Sequence, residues 1–436
     1  MLLRFSVENY LSFKRRGTID FQAAPLKEKM ENVFSPFLFD GPLLLKSIGI
    51  YGKNSSGKSN MINAFSFMRE FVINSSKESQ AEEIIPVLTF KLSTDADNKP
   101  ATFEVIFFLD DLKYRYGFSV NPKQIESEWL FVTVKRKETS VFIRSNNDFY
   151  YEKKFSNELK GKLEVLKEIT RPNSLFLSVL AQFNVQIGLN ISKWFNDILI
   201  AHDADHLALI DFSARLMNDT YYNSKLNEVI QQSDLGIDSI EQRIKDIVTK
   251  KNYSTEFVTA FFQDEKDYSI KTRHTKYDQD NKPNSKITFE MIENESLGTQ
   301  KYFGLFGPII MALTKKRILL IDEVDARLHP ILLENIISFF NSKKFNPNGA
   351  QIIFTSHSTL PLKKLLRRDQ MCFVEKDEFG CSTIDSLYVK APGVRNDASF
   401  AKDYLSGKYG AIPRLSIQLN LFGPKDNPDN ADIPLP

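Results

Sequence analysis

The sequence predicts an α/β fold that carries an antiparallel β subdomain and an inserted, mainly helical subdomain. Three observations support this prediction. A glycine loop, GKNSSGKS (Gly52–Ser59), lies between a short apolar run and residues 58–72, whose apolar side chains recur three apart as in a helix. Residues 100–151 contain short alternating runs separated by Asp, Asn and Pro turns, which is typical of an antiparallel meander. Residues 155–262 are mostly helical in pattern, with Pro172 as one break.

Along the chain, the first element is a strand pair in LLRFSVENYLSFKRRGTIDF, with a tight turn predicted near Arg16-Gly17. A buried strand over residues 44–51 precedes the glycine loop. In the helical part, LKGKLEVLKEI and IEQRIKDIVTK have the clearest amphipathic pattern. The remaining expected elements are strands around the turn DQDNKPNS within 268–291, a helix over 296–313, a strand over 317–321, a helix over 328–340, and strands over 351–355, 371–375 and 383–389.

The composition excludes several classes of protein. The chain has 436 residues, 42% hydrophobic and 26% charged, which fits two or three globular domains. Its net charge of +2 gives no overall attraction to nucleic acid, and its two cysteines indicate neither a disulfide framework nor a zinc site. There is no signal-peptide profile and no apolar run of about 18 residues, so we expect no membrane span and a cytoplasmic location.

The pattern G-x-x-x-x-G-K-S between a strand and a helix predicts a phosphate-binding loop. Glycines let successive backbone N–H groups point inward as an anion nest, and the following helix adds its positive dipole end. Lys58 is expected to reach the β- and γ-phosphates of a nucleotide, and Ser59 to hold Mg²⁺ through its hydroxyl. The alternative is a flexible surface turn. The predicted nucleotide-binding residues of this segment are Gly52, Lys53, Asn54, Ser55, Ser56, Gly57, Lys58, Ser59 and Asn60.

Two adjacent carboxylates follow an aliphatic strand in RILLIDEVDARLHP, residues 317–330. Ionised acids avoid apolar surroundings, so a buried strand that ends in them fits the carboxyl edge of a parallel sheet, where ligands bind. Asp322 is then expected to support Mg²⁺ through its water shell, and Glu323 to orient and polarise an attacking water as general base. The alternative is a strand that simply ends in polar loop residues.

Three further segments extend the candidate site. His357 follows the apolar strand of IIFTSHS and could contact the γ-phosphate and the hydrolytic water, although a lone histidine is more often structural. Asp325 lies just past the carboxylate pair. Ser296 and Gly298 open the helix of the SLGTQ segment (residues 296–300), where they form either a second anion site or an ordinary helix cap.

These motifs, in this order, resemble the nucleotide-binding domain of ABC-type ATPases among the P-loop NTPases, in the branch with SMC, Rad-fifty-like and OLD-like proteins. The opening LRFSVENYLSF is similar to their first strands. The segment PGVRNDASFAKDYLSGKYGAIP resembles AAA-family ATPases of bacterial abortive-infection and phage-defence operons, such as RloA-like and PARIS-type subunits. One departure is the SLGTQ segment itself, which replaces LSGGQ and places Thr299 where a second glycine is usual.

The resemblance implies an ATPase that uses ATP and Mg²⁺ and forms a head-to-tail homodimer, or a higher homo-oligomer, around two ATP molecules. Ser296 and Gly298 of one chain would complete the site of the other, and Asp325 would bridge the two sites. ATP-driven assembly would then hold, activate or release a separate toxic effector encoded nearby, such as a TOPRIM-type nuclease, in response to a phage trigger protein.

The alternative is a DNA-acting repair or recombination ATPase of the SMC and Rad-fifty-like kind. Two basic clusters could contact phosphates in that case, unless they are solvated helix faces: Lys315, Lys316 and Arg317, and Lys363, Lys364, Arg367 and Arg368. In either case we expect four regions. Residues 1–150 form the N-terminal half of the ATPase domain with the antiparallel β subdomain, 151–266 the helical insertion, 267–420 the C-terminal half, and 421–436 a disordered tail.

Overall fold

The computed structural model describes residues 1–36, 41–77, 83–152, 162–202, 206–244, 256–262 and 266–412. Within these ranges the chain is a mixed α/β protein with a large antiparallel sheet, so the predicted fold class is confirmed. The predicted disordered tail over 421–436 lies outside the described residues. The division of the chain into four regions stays a prediction.

Strands and helices are numbered here in chain order. The strands are β1 (Leu2–Glu8), β2 (Gly17–Asp20), β3 (Val33–Phe34), β4 (Leu44–Leu45), β5 (Ser47–Tyr51), β6 (Ala101–Leu109), β7 (Leu112–Val120), β8 (Ile125–Val134), β9 (Lys137–Ser145), β10 (Asp148–Tyr151), β11 (Leu199–Ala201), β12 (Ser239–Ile244), β13 (Tyr268–Tyr277), β14 (Pro283–Glu290), β15 (Ile318–Ile321), β16 (Gln351–Thr355), β17 (Met371–Lys376) and β18 (Ser382–Ser386). The helices are α1 (Lys58–Asn74), α2 (Lys162–Glu168), α3 (Phe176–Gln182), α4 (Gln186–Asn196), α5 (His206–Leu216), α6 (Thr220–Gln232), α7 (Glu256–Thr259), α8 (Met291–Asn294), α9 (Leu297–Lys315), α10 (Pro330–Asn341), α11 (Leu360–Lys364), α12 (Leu387–Lys390) and α13 (Phe400–Leu405), with a 3₁₀ turn at Met30–Asn32.

The central sheet has six strands in the order β11-β15-β16-β5-β17-β18, parallel except for the edge strand β18. Its inner strands β5, β15 and β16 are buried and mostly apolar because both faces of the sheet are covered there. Alternate side chains enter two cores. Leu320 and Ile353 pack in the core that α1 shares, whereas Ile321 and Phe354 pack in the core that holds α9 and α10. Parallel pairing brings the carboxyl ends of β5, β15 and β16 to one edge.

The antiparallel subdomain is a seven-stranded sheet in the order β10-β9-β8-β7-β6-β1-β2. It confirms both the predicted meander and the predicted first strand pair. The turn expected near Arg16-Gly17 is wrong, because β2 already begins at Gly17 and the chain reverses earlier, where Asn9 and Leu11 adopt φ values of 52° and 48°. A Cβ on Gly17 would lie 2.7 Å from the Phe13 ring, so this glycine serves close packing instead of a turn.

The inserted helical part contains α2 to α7, but it also contributes strands to two sheets. β11 pairs in parallel with β15 at the edge of the central sheet. The helix expected in IEQRIKDIVTK is wrong for its first residues, which form β12 and pair with β13 in a three-stranded sheet; the residues beyond Ile244 lie outside the described ranges. Pairing with a neighbouring strand outweighs the helical spacing of a short apolar pattern.

Two smaller differences concern the ends of elements. The strand expected over 383–389 ends at Ser386, whose hydroxyl accepts a hydrogen bond from the N–H of Val389 and thereby caps α12. The strand expected over 44–51 is divided at Lys46 into β4 and β5. In the described part of the chain, no helix combines the length and apolar character needed to cross a membrane.

Candidate functional site

The glycine loop follows β5 and ends at α1, which begins at Lys58 as predicted. Two of its residues have backbone conformations that L side chains rarely adopt. Gly57, directly before α1, has φ 112°, and Ser55 has φ 60°. Asn54 and Ser55 are exposed, whereas Ser56 is fully buried. The loop therefore turns sharply at the amino end of α1, where free backbone N–H groups and the helix dipole favour an anion.

Steric limits explain both glycines of the loop. A Cβ on Gly57 would lie 2.7 Å from the Ser12 hydroxyl and closer still to that of Ser382. A Cβ on Gly52 would lie 2.6 Å from the backbone oxygen of Val374. Such distances are shorter than van der Waals contact, so no larger residue fits without movement of the neighbouring strands.

Lys58 points back into the loop. Its Nζ donates hydrogen bonds to the backbone oxygens of Gly52 at 3.0 Å and Lys53 at 3.2 Å, and the residue is buried. Burial lowers the pKa of Lys58, while the nearby carboxylates of Glu323, Asp322 and Asp325 oppose that shift. The ammonium therefore lies in the concave side of the loop, close to all three acids that follow β15.

The structure brings Ser59 and Asp322 together, although they are far apart in the sequence. The Ser59 hydroxyl donates to Asp322 Oδ1 at 3.2 Å, and the Thr355 hydroxyl donates to the same oxygen at 2.5 Å. The Asp322 backbone is fixed by a hydrogen bond from its N–H to the oxygen of Ala201 in β11. This set of oxygen donors fits Mg²⁺, which prefers oxygen ligands and binds through one or two carboxylates together with substrate phosphates. Among the described residues, no three His, Cys, Asp or Glu side chains form a closed metal-ligand cluster.

Glu323 is held through its backbone from two sides. Its N–H donates to the Thr355 hydroxyl at 2.7 Å, and its carbonyl accepts a hydrogen bond from Lys301 Nζ at 2.9 Å. Glu323 also adopts a left-handed φ of 49°. Such a conformation costs about 1 kcal/mol or more in a residue with a side chain and is retained where surrounding contacts determine it.

Asp325 connects the loop after β15 to the loop after β16. Its Oδ2 accepts hydrogen bonds from the backbone N–H groups of His357 and Ser358, both at 3.0 Å. Its Oδ1 is buried and accepts no hydrogen bond within the described residues. The His357 side chain itself is exposed at the same edge of the sheet. Asp325 therefore positions the histidine backbone and leaves the ring free to contact a ligand.

The SLGTQ segment lies elsewhere on the chain. Ser296 is exposed and caps α9, because its hydroxyl accepts a hydrogen bond from the N–H of Thr299 at 3.1 Å. A Cβ on Gly298 would lie 2.8 Å from the backbone oxygen of Arg327. In the described part of the chain, no hydrogen bond joins residues 296–300 to residues 52–60. The structure thus gathers the loop, the carboxylates and His357 at one site and leaves Ser296 and Gly298 outside it.

Comparison with known families gives one match. Residues 47–362, more than half of the chain, match the family described as "AAA domain, putative AbiEii toxin, Type IV TA system". The chain belongs to this AAA family. No curated protein matches the chain. Among solved structures, it is similar to the SMC head domain from Thermotoga maritima at 14% identity, covering 88% of this chain and 98% of that one, with a TM-score of 0.37.

Sequence reasoning missed three groups that support the site of this AAA-family chain. Thr355 contacts both Asp322 and Glu323. Its position as the last residue of a strand was the sequence feature that could have predicted these contacts. Lys301 follows the SLGTQ segment directly, but no pattern indicates that it contacts Glu323. Ser12 and Ser382 pack behind the glycine loop, where the Ser382 hydroxyl donates to the backbone oxygen of Ser56 at 2.5 Å. The Asn60 side chain donates to the Ser12 hydroxyl at 2.7 Å, and its expected contact with nucleotide stays a prediction.

The three arginines expected to contact DNA all have partners inside the protein. Arg367 is 1% exposed and pairs with Asp369 at 2.8 Å. Arg368 pairs with Glu28 at 3.2 Å, and Arg317 pairs with Asp197 at 2.7 Å. Burial of Arg367 contradicts both the phosphate-binding interpretation and that of a solvated helix face for this residue, whereas both stay predictions for the half-buried Arg368 and Arg317. The lysines of the same clusters are exposed: Lys315, Lys316, Lys363 and Lys364.

Proposed function

We propose that this AAA-family chain binds and hydrolyses ATP with Mg²⁺ at the edge of the central sheet. The observation that carries the proposal is the contact between Ser59 and Asp322, at 3.2 Å beside the buried ammonium of Lys58. A hydroxyl, a carboxylate and a lysine that converge on a helix amino end suit a nucleotide triphosphate with its metal ion. Mg²⁺, when bound by Ser59 and Asp322, would neutralise charge on the β- and γ-phosphates.

Glu323 supports the hydrolytic step as general base. Its carboxylate takes a proton from the attacking water, whose oxygen forms a bond to the γ-phosphorus. The bond from that phosphorus to the bridging oxygen breaks, and the electron pair leaves with ADP. Thr355 and Lys301 hold the Glu323 backbone from both sides, which limits the orientations of its side chain. His357 is placed to contact the γ-phosphate and the water from the neighbouring strand end.

The proposed active unit is a head-to-tail homodimer. One chain supplies the glycine loop and the carboxylates, while the exposed Ser296 and the half-buried Gly298 belong to another segment of the same chain. A second copy related by a two-fold axis would place its SLGTQ segment over the γ-phosphate, and the two copies would do so reciprocally. ATP then favours the closed dimer through contacts to the γ-phosphate, and hydrolysis removes them.

The proposed role of this ATPase is control of a separate toxic effector in anti-phage defence. The match to a family described by a putative AbiEii toxin and a type IV toxin–antitoxin system supports this role. The effector would be encoded nearby, with a TOPRIM-type nuclease as one candidate, and a phage protein would be the trigger. RloA-like and PARIS-type subunits are the proposed relatives. The alternative, a DNA-acting repair ATPase, gains little support, because Arg367 and Arg368 bind within the protein.

Two variants test the active site and its sharing. Glu323→Gln should bind ATP without turning it over, so ATP-bound dimers should accumulate in size-exclusion chromatography with light scattering. Mixed dimers of Lys58→Ala and Ser296→Arg chains, isolated through two different tags, retain one intact composite site. They should recover about half of the wild-type turnover per dimer, since one of two sites is complete. A wild-type monomer with normal turnover would contradict the shared site.

The effector role needs a separate experiment. The product of the adjacent gene should co-purify with the Glu323→Gln chain in ATP and separate from it in ADP. Salt-dependent DNA binding by the isolated chain, without such a partner, would favour the repair alternative instead.

A further inference from the structure

Arg327 lies on the same exposed ridge as the SLGTQ segment, two residues beyond Asp325. We name the residues Ser296, Gly298 and Arg327 the SLGTQ ridge. The backbone oxygen of Arg327 lies so close to Gly298 that a Cβ on that glycine would be 2.8 Å away. Arg327 has a left-handed φ of 62° and is exposed. Within the described residues its guanidinium makes no ion pair or hydrogen bond.

The left-handed backbone of Arg327 destabilises the fold unless another interaction compensates for it. The left-handed backbone is disfavoured for a residue with a side chain, and asparagine or glycine would avoid most of that cost. Strain of this kind is common at sites that bind ligands. Since the backbone of Arg327 lies against Gly298, any movement that places the SLGTQ segment on a ligand also brings residue 327 within side-chain reach of it.

At the site of a single chain, the ammonium groups of Lys58 and Lys301 are outnumbered by the carboxylates after β15. The ammonium of Lys58 lies near three carboxylates, those of Glu323, Asp322 and Asp325. A triphosphate adds several negative charges, which Mg²⁺ offsets only in part. During hydrolysis the charge on the outer phosphate oxygens must be stabilised, and a fixed cation there favours the transition state over the ground state. A planar guanidinium with several donors suits phosphate oxygens better than an ammonium does.

We propose that Arg327 of one copy contacts the γ-phosphate held by the glycine loop of the other copy, as a catalytic residue supplied in trans. This inference rests on the proposed function, because it needs the shared site. The arginine donates hydrogen bonds to γ-phosphate oxygens while the bond to the bridging oxygen breaks, and it takes up no proton. ADP leaves with the electron pair, and the proton of the water goes to Glu323 as before.

Two single variants measure the contribution of the guanidinium. Arg327→Asn removes the charge with a residue that tolerates left-handed backbone, so the fold should be kept; its thermal unfolding is measured alongside. Its kcat for ATP should fall about 10²- to 10³-fold with little change in KM, because the contact acts in the transition state. Arg327→Lys should retain part of the activity. The matched control is Arg395→Ala, an arginine whose side chain is 82% exposed outside the site, and it should keep wild-type turnover.

Mixed dimers decide whether Arg327 acts in trans. A dimer of one Lys58→Ala chain and one Arg327→Asn chain contains one glycine loop that faces an intact arginine. It should recover about half of the wild-type turnover, as should the mixed dimer of Lys58→Ala and Ser296→Arg chains. If only the serine mixture recovers, the shared site stands and the role of Arg327 is refuted. If neither mixture recovers, the shared site itself fails, and this inference fails with it. Full activity of the Arg327→Asn homodimer would also refute the role.

Discussion

Replacing Gly57 by alanine tests how the glycine loop is held against the strands behind it. The new methyl group would lie 2.7 Å from the Ser12 hydroxyl and closer to that of Ser382, on a backbone with φ 112°. Gly236 provides a matched control. It also has a positive φ, 70°, but among the described residues a Cβ there would meet no atom within 4 Å. Both substitutions therefore carry a backbone cost, which is larger at φ 112° than at 70°, and only Gly57→Ala adds a steric contact.

The expected free energies follow from these two contributions. Left-handed backbone costs about 1–2 kcal/mol in a residue with a side chain, which is the full expected effect for Gly236→Ala. Overpacking against a rigid neighbour adds about 1–3 kcal/mol, so Gly57→Ala should lower the free energy of unfolding by about 2–5 kcal/mol. Ser382→Ala in the same chain removes the closest contact and should recover part of that loss, although it also breaks the hydrogen bond to Ser56.

Urea unfolding measures the free energies, and calorimetric titration with ATP and Mg²⁺ measures binding. Gly57→Ala should lose measurable ATP binding because the loop cannot keep its backbone, whereas Gly236→Ala should bind as the wild type does. Equal urea midpoints for the two variants, with ATP affinity retained in both, would refute the packing explanation. A Gly57→Ala, Ser382→Ala chain no more stable than Gly57→Ala alone would refute the identity of the contact.

Three further predictions concern charged side chains. Lys301→Met should lower turnover about tenfold with ATP affinity kept, because the Glu323 carbonyl loses a charged donor; equal kcat in a steady-state assay would contradict this. Asp325→Ala should lower the free energy of unfolding by about 1–3 kcal/mol and Asp325→Asn by much less, since an amide oxygen still accepts the N–H of His357; urea unfolding compares them. Burial lowers the pKa of Lys46 to about 8, below its ordinary value of 10.5. Between these two pH values the unfolded state binds more protons than the folded state, so the free energy of unfolding should rise with pH. Urea titrations at several pH values should show this rise for the wild type and not for Lys46→Met.

Local patterns predicted most of the elements that carry the candidate site. The helix from Lys58, the helix capped by Ser296 and the strands before Asp322 and His357 all appear where apolar spacing and capping indicate them. The wrong helix prediction has one cause. In IEQRIKDIVTK, helical spacing competes with a neighbouring strand, and only the folded chain shows that β13 is available for pairing.

Contacts among side chains were harder to predict from the sequence than the helices and strands were. An arginine in a basic cluster can be exposed or internal, and the pattern around Arg367 does not distinguish these cases, because Asp369 and its other partners are brought in by the fold. Thr355 and Lys301 likewise acquire their roles through contacts with residues in other elements.

The sequence by itself determined features that depend on residues close together in the chain. These are a glycine loop before a helix, acids at a strand end and a serine that caps a helix. These depend on neighbours within a few residues, so spacing alone reveals them. The tertiary structure decided which of these groups meet. Parallel pairing of β5, β15 and β16 places Ser59 on Asp322, whereas Gly298 in the first turn of α9 lies against the backbone oxygen of Arg327, and in the described part of the chain no hydrogen bond joins residues 296–300 to the glycine loop. Such contacts depend on the pairing of segments that are hundreds of residues apart, and no local pattern specifies that pairing.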